Sequence, residues 1–97
     1  MKKEEFLELI SEDLVLVDFY ATWCGPCKMM SPIIDSLVNE RAFKVVKIDV
    51  DKNMEIAQEY SVMSIPTLIL FKNGKLIDKK NGFMTKELLL EWINKNV

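Results

Sequence analysis

The sequence predicts an α/β domain in which helices cover both faces of a mixed β-sheet. Three observations carry that expectation. A strand-like run, a long helical pattern and a second strand-like run follow one another between Leu14 and Val50, the order of a βαβ unit with parallel strands and a right-handed crossover. Asn73-Gly74, set between apolar runs, is a strong hairpin signal, so the later strands should run antiparallel. With 97 residues, 49% hydrophobic and 29% charged, the chain suits a single domain, 1–97, with no room for a second core.

Phe6, Leu9 and Ile10 share one face of a short first helix. Leu14-Val15-Leu16-Val17-Asp18-Phe19-Tyr20 is a β-rich apolar run, buried on both faces as a strand. From about Cys24 to Glu40 the period turns helical: Met29, Ile33 and Leu37 recur every fourth residue, as do Met30, Ile34 and Val38. Pro32 inside this helix removes an amide donor and is expected to kink it. Phe43 to Val50 reads as the second strand, and Ile56, Ala57 and Tyr60 mark the apolar side of a third helix. Pro66 opens the third strand, Thr67 to Phe71, and Leu76-Ile77 continue the strand that returns from the hairpin. Gly82 breaks the chain, and Thr85 caps a final helix with Leu88, Leu89, Trp92 and Ile93 on its buried side.

A net charge of -2 and the lack of a basic stripe with interleaved aromatics argue against nucleic-acid binding. Met1-Lys2-Lys3-Glu4-Glu5 leads into alternating acids and apolars, which is not the pattern of a signal peptide, and no run is long enough to span a bilayer. A cytoplasmic protein that avoids membranes is the expectation. In that compartment paired cysteines are more often catalytic or metal-binding than structural.

Both cysteines lie in Trp23-Cys24-Gly25-Pro26-Cys27-Lys28, and the chain has no histidine. Three uses compete. A disulfide between residues three apart closes a tiny loop and removes little unfolded-state entropy, so it is a poor staple. A tetrahedral zinc site normally takes four Cys or His ligands, and haem attachment would put histidine where Lys28 stands, so no metal is expected. Dithiol redox chemistry has positive support. At a helix start, Cys24 meets unpaired backbone N–H groups and the positive end of the helix dipole, which favour a thiolate. Cys27 lies one turn on, within disulfide reach, and Pro26 suits a first turn where its missing N–H costs nothing.

Trp23-Cys24-Gly25-Pro26-Cys27-Lys28 resembles the active-site signature of the thioredoxin family. Val17-Asp18-Phe19-Tyr20-Ala21 before it, and Ile65-Pro66-Thr67 and Phe71-Lys72-Asn73-Gly74 after it, are similar to the family's other landmarks in order and spacing. The resemblance covers about Leu14 to Val97. It implies a thioredoxin fold, a three-layer α/β/α arrangement with a mixed sheet. Members usually begin with a strand before the first helix, and here Met1 to Asp13 suffice for the helix alone. Four strands, in the order 44–50, 14–20, 67–72, 75–80, and four helices are therefore expected. Lys44, Lys47 and Asp49 on the edge strand would discourage pairing with another chain, and a monomer is expected.

The resemblance also implies roles. Cys24 would attack a protein disulfide, and Cys27 would resolve the mixed disulfide. Asp18 is an expensive residue inside an apolar strand, unless that strand is an exposed edge. Its family counterpart lies beneath the disulfide and assists proton transfer to and from the second cysteine. The counterpart of Lys47 lies near that aspartate and would modulate it, where the plainer reading is a lysine guarding a strand edge. Pro66 would be cis and pack against the disulfide, with the Ile65 backbone pairing with substrate as a short added strand. Trp23, Pro26, Ile65, Gly82 and Phe83 would form an apolar rim around an exposed sulfur. Gly25-Pro26 between the cysteines resembles reducing members of the family. Met63 and Phe83 flank the groove, and Tyr20 stands where the family commonly carries a second tryptophan. No cofactor is expected beyond the redox-active Cys24–Cys27 disulfide. The implied partners are disulfide-containing protein substrates and a thioredoxin reductase as electron donor. A competing reading is an interaction module that binds through the same rim with redox dispensable.

Overall fold

A computed structural model describes residues 1–40 and 44–97, with the backbone alone for residue 40. Along the chain run α1 (Lys3–Leu9), β1 (Val15–Tyr20), α2 (Gly25–Glu40), β2 (Lys44–Asp49), α3 (Met54–Glu59), β3 (Thr67–Lys72), β4 (Lys75–Asn81) and α4 (Lys86–Asn96). The sheet order is β2-β1-β3-β4. β2 is parallel to β1, as the crossover through α2 requires, while β1–β3 and β3–β4 are antiparallel. Phe43 lies outside the described residues, and the second strand starts at Lys44.

Strand alternation divides the core between the two faces of the sheet. On one face Val15, Val17, Phe19, Val46, Ile48, Ile69 and Phe71 pack with Phe6 and Ile10 at α1 and with Ile56 and Ala57 of α3. Tyr60 completes this side, its ring 5.4 Å from Phe6 and 5.5 Å from Phe71. On the other face Leu16, Leu68 and Leu70 meet Met30, Ile34 and Leu37 of α2 and Leu89, Trp92 and Ile93 of α4. Hence β1 is buried throughout except at Tyr20, and the layers are α1/α3, sheet, α2/α4.

Local signals placed the turns. Asn73 (φ 52°) and Gly74 (φ 83°) both adopt the left-handed conformation that a two-residue hairpin needs. Thr85 caps α4, its hydroxyl accepting the Leu88 N–H at 3.3 Å. Packing sets the helix faces, and at Leu88 it corrects the sequence expectation. α2 continues through Pro32, and its inward face is Met30, Ile34 and Leu37, whereas Met29 and Val38 are exposed. Two candidate rows offset by one residue were available in that sequence, and contact with the sheet selects one residue from each turn. Leu88 also faces outward, at 54% exposure, while Leu89 is buried. Three successive leucines leave the phase of the helix undetermined by composition. The edge charges turn inward or pair locally: Lys44 bridges Glu12 at 2.7 Å, and Asp49 is buried, accepting the Asp51 N–H at 2.9 Å.

Candidate active site

β1 ends at Tyr20, and the chain turns through Ala21 to Cys24 before α2 begins at Gly25. The Cys24 N–H donates to Ala21 O at 3.2 Å, and Cys24 O accepts from Lys28 N–H at 3.2 Å, so Cys24 occupies the N-terminal edge of the helix. There the first amides have no carbonyl partner one turn earlier. One of them is used at once: Cys27 N–H donates to Cys24 Sγ at 3.2 Å. The two cysteines are joined as a disulfide, with their Cα atoms 5.2 Å apart. This is the oxidised form.

The sequence reading expects an exposed sulfur. Cys24 and Cys27 are instead each only 4% exposed. With Ala21 they form a small cluster against which Tyr20, Val50 and Ile65 pack. The disulfide is therefore almost wholly covered by its apolar neighbours. Gly25 and Pro26 are exposed in the first turn of α2, and nothing lies within 4 Å of where a Gly25 Cβ would sit. The helix start thus presents bare backbone to an approaching chain.

The loop before β3 forms the other wall. The Ile65–Pro66 bond is cis, and Pro66 is buried. Pro66 O accepts the Gly82 N–H at 2.8 Å, which brings Gly82 to this loop. Thr67 Oγ1 bonds both Ser64 O and Asn81 Oδ1, so the loop is tied to the end of β4 a second time. The Ile65 amide and carbonyl have no backbone partner among the described residues. Trp23, Val50, Val62, Met63, Ser64 and Ile65 line a shallow groove. Trp23 is 68% exposed, and its indole is held by a hydrogen bond from Nε1 to Asp51 Oδ2 at 2.8 Å. Phe83 is also exposed but does not line this groove.

On the opposite side of Cys27, a cavity of about 450 Å³ is lined by Cys27, Asp18, Tyr20, Lys28, Ser31 and Lys47. Asp18 is buried, and its Oδ1 has no hydrogen-bond partner among the described residues. Burial pushes its carboxyl up from 3.8 to about 6; Lys47 opposes that rise and Asp35 adds to it. Lys47 lies opposite Asp18 in the β1–β2 register. It does not bond Asp18, however: its ammonium donates to Asp35 Oδ1 at 2.9 Å and Ser31 Oγ at 3.0 Å.

Cys24, Cys27, Asp18, Lys47, Trp23, Ile65, Pro66 and Gly82 thus gather at the carboxyl end of β1. Ser31, Asp35, Asp51 and Asn81 belong to the same region and escaped sequence reading. Each is a common polar residue whose partner is remote in the chain, so no local pattern marks it.

Comparison with known proteins agrees with this geometry. The family model described as Thioredoxin matches residues 1–95. A thioredoxin of Rickettsia felis is 52% identical over 93 residues, covering 93% of this chain and 89% of the relative. One from Bacillus subtilis is 48% identical over 96 residues, covering 97% and 92%. Among solved structures, a point mutant of a thioredoxin from Halobacterium salinarum superposes with a TM-score of 0.93 at 37% identity, covering 99% of this chain and 86% of that one. The oxidised form of mitochondrial thioredoxin 3 from Saccharomyces cerevisiae gives 0.88 at 42% identity, covering 95% and 88%. With a disulfide-linked Cys24–Cys27 pair at the head of α2, the chain belongs to the thioredoxin family and is a protein-disulfide oxidoreductase.

Proposed function

We propose that the 97-residue chain works as one thioredoxin domain in which Cys24 is the attacking thiolate, Cys27 the resolving thiol and Asp18 the proton acceptor. The observation that carries this division of labour is the hydrogen bond from Cys27 N–H to Cys24 Sγ. A donor aimed at sulfur at a helix N-terminus favours negative charge on Cys24. Cys27 instead borders the cavity that holds the Asp18 carboxyl.

In the reduced protein, Cys24 thiolate attacks one sulfur of a substrate disulfide. The substrate S–S bond breaks, and the first substrate thiolate leaves and is protonated. Cys27 then gives its proton to the Asp18 carboxylate, and its sulfur attacks Cys24 Sγ. The mixed disulfide breaks, the second substrate thiolate departs, and the Cys24–Cys27 disulfide remains. Two electrons pass from the dithiol to the substrate. A carboxyl near 6 is matched to accepting such a proton at neutral pH far better than one at 3.8.

Substrates in this reading are disulfide-containing proteins that lie across Trp23, Gly25, Pro26, Ile65 and Gly82, with Phe83 at the margin. The Ile65 backbone, without a backbone partner among the described residues, suits pairing with an extended substrate segment. A thioredoxin reductase returns the disulfide to the dithiol. The protein acts as a cytoplasmic monomer, without metal or cofactor. No helix among the described residues is long and apolar enough to cross a membrane.

Reduction of a disulfide-bonded protein, with this chain recycled by a small dithiol, tests the reading. Wild type should accelerate the reaction and Cys24→Ser should abolish the acceleration. Equal rates for the two would leave only an interaction role for the apolar rim.

A further inference from the structure

Lys47 is poised to pair with Asp18 and does not. The two residues face each other across parallel strands, on the side of the sheet that α2 covers. A mobile ammonium beside a buried carboxylate would be drawn to it, because the attraction is weakly screened there. Lys47 Nζ is instead engaged by Asp35 Oδ1 and Ser31 Oγ, four residues apart on one side of α2. Asp18 Oδ1 keeps no partner among the described residues, and Asp18, Cys27, Ser31 and Lys47 line the same cavity.

We propose that Ser31 and Asp35 are positioning residues for the redox reaction: they hold the Lys47 ammonium off Asp18 and so keep that carboxyl basic enough to take the Cys27 proton. The proposal rests on the reading of Asp18 as proton acceptor given above. Asp35 acts twice with one sign, since it retains Lys47 and its own negative charge disfavours ionisation of Asp18. The directions agree, with Lys47 lowering and Asp35 raising the Asp18 titration.

The titratable groups around Asp18 are Tyr20 on its own strand, Lys47 on β2, and Cys27, Lys28 and Asp35 on α2. β3 offers only Leu68 beside it. The Lys47–Asp35 bridge is well exposed, with 35% and 63% of the two side chains accessible. Such a pair adds little to folding stability. Its removal should therefore alter the site without unfolding the chain, and added salt should weaken its influence.

The test follows the Asp18 carboxyl directly by NMR of its side-chain carbon in the disulfide form of the full chain, where neither cysteine titrates. In Asp35→Asn its midpoint should fall by roughly half a pH unit. Resolution of a preformed Cys24–substrate mixed disulfide at neutral pH should slow about twofold, because the base is weaker. Asp35→Glu should restore both, and Ser31→Ala should give a smaller shift in the same direction. Lys47→Met should raise the midpoint. In that background Asp35→Asn should shift it less than in wild type, because no ammonium remains to be released.

An unmoved midpoint in Asp35→Asn overturns the proposal, even where Asp18→Asn slows resolution. An undiminished shift in the Lys47→Met background also overturns it, since Asp35 would then act by charge alone. A midpoint that falls as expected while resolution is unchanged upholds the lysine clamp and removes Asp18 from the proton path.

Discussion

The amide of Cys27 donates to Cys24 Sγ at 3.2 Å, so the helix that carries both cysteines treats them unequally. One sulfur receives a hydrogen bond that strengthens as negative charge builds on it. The other faces a cavity with a buried carboxyl.

Limited alkylation of the reduced protein at neutral pH should therefore label Cys24 well before Cys27, as peptide mapping would reveal. Cys27→Ser should accumulate covalent adducts with substrate proteins through Cys24, resolvable by non-reducing electrophoresis. Preferential labelling of Cys27 would reverse the assignment.

Asp18→Asn should slow resolution and yet strengthen the fold. The folded carboxyl titrates at about 6 against an ordinary 3.8. Between those values the folded chain binds more protons than the unfolded one, so this group's contribution to stability falls as pH rises through that window. Above it the full penalty is present, on the order of 3 kcal/mol. Urea melts should show Asp18→Asn more stable than wild type by up to that amount near neutral pH, with the gap closing below the ordinary carboxylate range. A variant that is less stable at neutral pH would identify Asp18 as a satisfied structural group.

Pro66→Ala should impair substrate reduction more than folding. The proline lies in the loop that presents Ile65, and its carbonyl is fixed by Gly82. Displacement of this wall by a fraction of an ångström should lower kcat/KM about tenfold, given how steeply rates depend on alignment. Thermal denaturation measured alongside should change little. Unaltered kcat/KM would remove the loop from substrate binding.

Trp23 is exposed, and its hydrogen bond to Asp51 helps hold the indole against the groove. Asp51→Ala should raise KM a few-fold with little change in kcat, because the lost restraint costs binding rather than chemistry. Faster local motion of Trp23, read by fluorescence anisotropy in a Trp92→Phe background, should accompany the change. An unchanged KM would show that the wall is fixed by packing alone.

Much of the fold was legible in local pattern. β1 is apolar on both faces because it is central, and Asn73-Gly74 dictates its own turn. Thr85 signals a helix start through its hydroxyl. The phase of an apolar helix was less legible. Met29 and Met30 are equally apolar, as are Leu88 and Leu89, and contact with the sheet decides which of each pair is buried. The polar network was hidden for a different reason. Lys47 reaches Ser31 and Asp35 across 16 and 12 residues, and Trp23 reaches Asp51 across 28. Hydrogen bonds over such separations have no period to detect.

The sequence by itself determined the reacting groups: two thiols, no histidine, and a strand-turn-helix setting that places one thiol at a helix start. Local sterics and backbone hydrogen bonding suffice for that. Only the tertiary structure decided how the site is tuned. Closure of the layers buried Asp18 with no partner on Oδ1 among the described residues, covered both cysteines to 4% exposure and drew Lys47 to Asp35. The physical reason is that burial and Coulombic interactions depend on distances in space, which are set when the layers close.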